Sequence, residues 1–108
     1  MAVSPQIPDV VREVRRRLEA LYGPRLRHVI LYGSHARGEA DEGSDIDLLI
    51  VLDDFDDARA ELARMDPIAS ELSLEHDAVI SNLVVRAGEY ARRNSPLLMN
   101  VRREGVRL

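Results

Sequence analysis

Cysteine, lysine and tryptophan are all absent from this chain of 108 residues. Without cysteine there is no disulfide, no thiolate zinc site and no cysteine nucleophile. Without lysine there is neither a Walker A phosphate loop nor Schiff-base chemistry, and all 15 basic residues are arginine. One phenylalanine and three tyrosines are too few to stack a single strand of bases, so direct nucleic-acid binding is not expected. The longest apolar runs, such as Leu48 to Leu52, fall far short of the roughly 20 residues that span a bilayer. Residues 1–9 lack the basic start and apolar core of a secretory signal. These absences lead to the expectation of a cytoplasmic, soluble protein without a membrane partner. Its 45% hydrophobic and 31% charged residues suffice for one core, so residues 1–108 are expected to form one domain.

The net charge of −4 is unevenly spread. Nine acids and no arginine lie between Glu39 and Asp57. Arginines cluster instead at Arg12, Arg15, Arg16 and Arg17, and again at Arg102, Arg103 and Arg107. Each arginine cluster reads either as a solvated surface or as contact with an acidic partner.

Periodicity sets out the elements. Val10, Val11, Val14, Leu18, Leu21 and Tyr22 repeat at helical spacing over Asp9 to Tyr22, and Gly23-Pro24 stops that helix. His28 to Tyr32 and Asp45 to Leu52 are short apolar strands, and Gly33 to Gly38 has room for one or two helical turns. Asp56 to Leu72 is helical, with Ala58, Leu62, Met65, Ala69 and Leu72 on one face. Asp66-Pro67 has the form of a cap and first-turn proline, which predicts a break or kink there. His76 to Val85 is a third strand with Asp77 near its start, and Ser95-Pro96 opens a last helix that Gly105 ends. The order α-β-α-β-α-β-α predicts an α/β (α+β) fold: a small mixed sheet of three strands, or four with one more, packed on helices.

The chemistry concentrates in Gly33-Ser34-His35-Ala36-Arg37-Gly38, followed five residues later by Ser44-Asp45-Ile46-Asp47. In a strand, residues two apart share a face, so Asp45 and Asp47 project together from an otherwise apolar segment. Their mutual repulsion calls for a cation, and Mg²⁺ held by one or two carboxylates plus substrate phosphates fits best. Gly33 permits a sharp turn and the close approach of a ligand, and Ser34 opens a helical turn whose free amides suit phosphates. Taken singly, the two aspartates also describe a turn residue and a solvated edge residue. Gly33-Ser34 alone describes an ordinary capped turn. Two metals about 3.5–4 Å apart need further bridging ligands. Asp77, in a position comparable to Asp47, is the expected third carboxylate, with Glu75 as second choice.

The run GS-x-ARG-x-A…SDIDLL, with LSLEHDAVIS and SPLLMNVRREGVRL after it, resembles the nucleotidyltransferases of the DNA polymerase β superfamily. It is most similar to the minimal nucleotidyltransferase (MNT) branch, small antitoxins paired with HEPN-domain toxins. The resemblance implies that Gly33 and Ser34, with Arg37 and Ser44, bind nucleotide phosphates. It implies that Asp45, Asp47 and Asp77 are catalytic and ligate Mg²⁺, two ions in all. Arg37 either touches phosphate or braces the turn against a nearby acid, and His35 is a surface residue. The implied activity is transfer of AMP from ATP to a hydroxyl of a HEPN toxin. Two competing readings are an antitoxin that neutralises by binding alone and a small-molecule nucleotidyltransferase, although the latter ordinarily carries an added helical domain. Self-assembly into an oligomer is compatible with each.

Overall fold

The apolar stripe of the first helix is long enough to bury one full face, and it does so from its first turn to its last. The computed structural model of the protein describes residues 7–41 and 43–108. The first helix, α1, spans Asp9–Tyr22 and buries Val10, Val11, Val14, Leu18 and Tyr22. A short 3₁₀ turn, Gly23–Arg25, leads into β1, Leu26–Tyr32, which starts two residues earlier than the apolar run alone indicates. Next come α2, Ser34–Arg37, and β2, Ile46–Leu52, the most apolar strand. They are followed by α3, Ala58–His76, and β3, Ile80–Arg86. The chain closes with α4, Ala87–Arg92, α5, Pro96–Glu104, and a two-residue strand β4, Val106–Arg107.

The four strands lie in the order β3-β2-β1-β4. β1 runs antiparallel to both β2 and β4, while β2 and β3 are parallel. The parallel pair follows from α3, a crossover long enough to return the chain to the same end of the sheet. Strand alternation then makes two cores. On one face, Val29, Leu31, Leu48, Ile50 and Leu52 meet α1 and α3 through Val14, Leu18, Met65 and Leu72. On the other, Ile30, Leu49, Val51 and Val85 meet Tyr90, Leu98 and Val101 of α4 and α5. Asp47 has the parity of Leu49 and Val51, so it belongs to this second face.

Three sequence expectations need correction. The third strand begins at Ile80, not His76, because α3 continues to His76 and the intervening residues turn the chain back. Pro67 does not break α3. Proline frees the carbonyl four residues before it, here that of Ala63. Ala63 and Pro67 are both exposed, so water can satisfy that carbonyl, while buried Met65, Ala69 and Leu72 hold the opposite face in place. Lastly, the buried face of α3 includes Glu61, 6% exposed, and leaves Ala58 in solvent. Glu61 lies 3.3 Å from Arg64 and 3.8 Å from Arg25, pairing that lets a carboxylate lie under the helix. α4 carries no periodic signal long enough to read, and β4 is too short to be found without its partner.

The Ser95-Pro96 signal forms as read: the Ser95 hydroxyl accepts from the Leu98 amide at 3.2 Å. Ser95→Ala is expected to lower unfolding free energy by about 1 kcal/mol, measured by urea denaturation. An unchanged midpoint would mean the cap contributes nothing to α5.

Candidate active site

Backbone geometry fixes the centre of the site. At the end of β1 the chain turns through Gly33 at φ 76°, ψ −153°, a conformation essentially restricted to glycine. A Cβ placed there would also stand 2.5 Å from Oδ2 of Asp47. Glycine is therefore required twice, by the turn and by the carboxylate that lies against it. α2 follows as little more than one turn, ending at Gly38 in the left-handed region. No side chain caps its start, so the amides of its first turn are left for water or a ligand.

Asp47 pairs across the sheet with Tyr32 on one side and Ser81 on the other. Its carboxylate is half-buried. Burial first, then the charge of Asp45, push its pKa above the ordinary aspartate value, while His35 and Arg37 pull it back. Asp45 stands one residue before β2 and is exposed. The pair thus consists of one sheltered and one solvated carboxylate at the mouth of the sheet.

The remaining candidates take different positions. Ser34 is the first residue of α2 and is half-buried. Ser44 uses its hydroxyl within the loop, donating to Asp41 Oδ1 at 3.1 Å and accepting from the Asp41 amide at 3.0 Å. Arg37 is exposed and paired with Glu39 at 3.0 Å and Glu104 at 3.6 Å, the bracing arrangement of its two readings. Both arginine contacts tie α2 to its surroundings.

Asp77 does not stand in the third strand as expected. It caps the C-terminus of α3 in the left-handed conformation, φ 50° and ψ 50°, and its amide bonds to Ser73 O. Two residues, Ala78 and Val79, separate it from β3. It lines a cavity of about 360 Å³ with Val10, Ile46 and His76, and with His35 and Ser44 of the turn and of the loop leading into Asp45. Glu75 lies within α3 and is exposed. Among the described residues, no three His, Asp or Glu side chains converge closely enough to hold a metal ion. Asp77 ends a helix here, because aspartate is one of the few side chains that tolerate a left-handed cap.

Two neighbours were not legible as part of the site. Tyr32 is half-buried, and burial followed by the Asp47 charge raises the pKa of its phenol. The signal was present in principle, since Tyr32 immediately precedes Gly33 and closes the first strand. His35, expected on the surface, is half-buried, and its Nε2 lies 3.3 Å from Ser44 O. That contact joins the glycine turn to the loop leading into Asp45.

Comparison with known proteins agrees with this placement of the fold. The profile of the "Nucleotidyltransferase domain" family matches residues 11–100. A Methanocaldococcus jannaschii protein described as "Putative protein adenylyltransferase" is 33% identical over 81 residues, covering 75% of this chain and 81% of the relative. A toxin–antitoxin crystal structure with AMP-PNP superposes with a TM-score of 0.62 at 21% identity, covering 88% of this chain and 69% of the other. A tri-AMPylated Shewanella oneidensis HEPN toxin in complex with MNT antitoxin gives 0.51 at 20% identity, covering 89% and 69%. At these identities the two structures show a shared fold. Among the described residues, no helix is long and apolar enough to cross a membrane.

Proposed function

Since the chain belongs to the nucleotidyltransferase domain family, we propose that it transfers AMP from ATP to a hydroxyl of a partner protein, a HEPN-type toxin that it thereby silences. One observation carries this reading: the Asp47 carboxylate lies against the Gly33 turn, next to a second carboxylate and to uncapped amides. A purely structural turn has no need of two like charges beside uncapped amides.

In this reading the amides of α2 and the Ser34 hydroxyl bind the β and γ phosphates. Gly33 leaves the room in which the Asp47 carboxylate lies against the turn. Asp45 and Asp47 stand at the mouth of the sheet beside exposed Ser81, where they would hold the cation that accompanies a triphosphate. Arg37 holds α2 in register through Glu39 and Glu104. His35, joined to Ser44, keeps the turn and the Asp45 loop at a fixed separation. Such positioning is where most of the rate of phosphoryl-type transfer originates.

The two carboxylates suit one divalent cation such as Mg²⁺, which is held by few protein oxygens together with substrate phosphates. Bound there, it would neutralise charge on the departing pyrophosphate. The protein acceptor is supported by the relative's description and by the AMPylated toxin in the structural neighbour. Binding without transfer is the competing reading, favoured because no three metal-ligating side chains converge among the described residues.

The test is incubation with α-labelled ATP, Mg²⁺ and the protein encoded beside this chain. Label on that protein supports transfer. Neutralisation of its toxicity with no label on it would leave binding as the function. Nucleotide binding is tested separately: Mg²⁺ with a non-hydrolysable ATP analogue at about a hundred times Kd should stabilise the protein by about 2.7 kcal/mol in a thermal melt. No shift would remove the nucleotide site.

A further inference from the structure

The sheet guards its two edges differently. β4 closes one edge with only two residues, too short to invite another strand. β3 forms the other edge and runs for seven residues, Ile80–Arg86. Its pairing with β2 fixes which backbone groups are already used. The Ile46 amide donates to Val79 O at 2.8 Å, as a parallel pairing of Ile46 with Ile80 requires. Odd-numbered residues of β3 therefore turn their amides and carbonyls toward β2. Ile80, Asn82 and Val84 turn theirs outward, and among the described residues no backbone group pairs with them. Ile80 to Val85 carries neither charge nor proline, the devices that ordinarily blunt an edge. Leu83, 39% exposed, lines an open groove of about 360 Å³ with Leu49, Val85, Leu97 and Leu98. Charge sits instead at the two ends of the strand, with opposite sign. Exposed Glu75 and Asp77 precede it, and Arg86, Arg92 and Arg93 follow it. The acids at that second end, Asp54 and Glu89, are already paired with Arg86, whereas the Arg92 guanidinium reaches only the Gly88 carbonyl.

We infer that β3 is an interface between two copies of this chain, paired antiparallel about a two-fold axis at Leu83. Overlap of all seven residues sets Asn82 opposite the partner's Val84, and Leu83 opposite its own counterpart. Opposite residues of an antiparallel ladder alternate between hydrogen-bonded pairs and pairs that approach more closely, with Cα atoms about 5.5 and 4.5 Å apart. Asn82 and Val84 have the outward groups that the first kind needs. Leu83 falls on the second kind, where apolar side chains gain most from contact. The same axis brings the acids before one β3 beside the arginines after the other, so unlike charges meet at both ends. The contact is isologous and closes at two copies, which leaves only the short β4 edges exposed.

Sedimentation equilibrium of the whole chain at micromolar concentration tests the pairing. A particle of twice 12.2 kDa is expected. A monomer, or mass that keeps growing with concentration, would overturn the inference. Hydrogen exchange locates the contact without any variant: the amides of Ile80, Asn82 and Val84 should be protected in the dimer and lose protection on dilution to the monomer. A dimer in which these three exchange freely would be built on another surface and would defeat the proposal. Leu83→Glu sets two like charges face to face and is expected to raise the dimer Kd at least about a hundredfold. A Leu83→Glu protein with wild-type circular dichroism and an unchanged Kd would also defeat it. So would a monomer whose three outward amides become protected only when the protein encoded beside this chain is added, because the edge would then belong to that partner.

Discussion

Asp47→Asn is expected to cut label transfer to the partner by at least about a hundredfold while raising the melting temperature of the ligand-free protein at pH 7. The loss corresponds to about 2.7 kcal/mol of transition-state stabilisation. It follows from removing the sheltered charge that faces the Gly33 turn, because an amide keeps the shape and loses the attraction for a cation. The gain in stability has the opposite origin. Burial and the neighbouring Asp45 charge hold the Asp47 carboxyl above its ordinary value of 3.8. A carboxyl with a raised folded pKa binds more protons in the folded than in the unfolded state across that interval. Its ionisation therefore destabilises the fold as pH rises through the interval, and the deficit persists at neutral pH. The amide carries no such deficit. Wild type and variant should converge as pH falls below 3.8, and saturating Mg²⁺ with nucleotide should reverse their order at pH 7. Melts across this pH range, with and without ligand, check both signs. A variant that melts lower than wild type at pH 7 without ligand would mean the charge is not held at a penalty.

Gly33→Ala is expected to have the largest effect on stability among the site positions, and to abolish nucleotide binding as well. The backbone conformation alone disfavours any side chain by about 1–3 kcal/mol. The added methyl would in addition meet Oδ2 of Asp47 at 2.5 Å, so the carboxylate must move. Gly38→Ala is the matched control. Its φ of 74° gives a left-handed cost of about 1–2 kcal/mol, but no atom lies within 4 Å of the new Cβ. It should lower stability modestly and leave the nucleotide-induced shift intact. Gly33→Ala combined with Asp47→Ala should recover part of the loss, with a coupling of about 0.5–3 kcal/mol. Full additivity of the two changes, or wild-type nucleotide binding by Gly33→Ala, would show that the turn and the carboxylate are independent.

Much of this site was legible before any coordinates. Gly33-Ser34 and Asp45-Ile46-Asp47 stand out because their geometry is local: a turn that needs glycine, and alternation that puts two acids on one face. The helix at Asp9–Tyr22 and the cap at Ser95 were equally plain, since each depends on neighbours within a turn or two. Arg37 could be narrowed but not resolved, as its two partners lie 2 and 67 residues away in the chain. Asp77 was misplaced because the apolar run His76 to Val85 has no internal mark of where the helix ends and the strand begins. Helix and strand propensities overlap there, and the boundary is set by packing of α3 against the sheet.

The amino-acid sequence by itself determined the elements that close on their own hydrogen bonds and periods: α1, the central apolar strands, the glycine turn and the paired carboxylates. Only the tertiary structure decided what stands opposite them. Strand register is a long-range property, and it set Tyr32 and Ser81 beside Asp47. It also allowed Pro67 to remain inside a helix and Glu61 to lie beneath one, because burial of the surrounding face outweighs a single lost hydrogen bond or a paired charge.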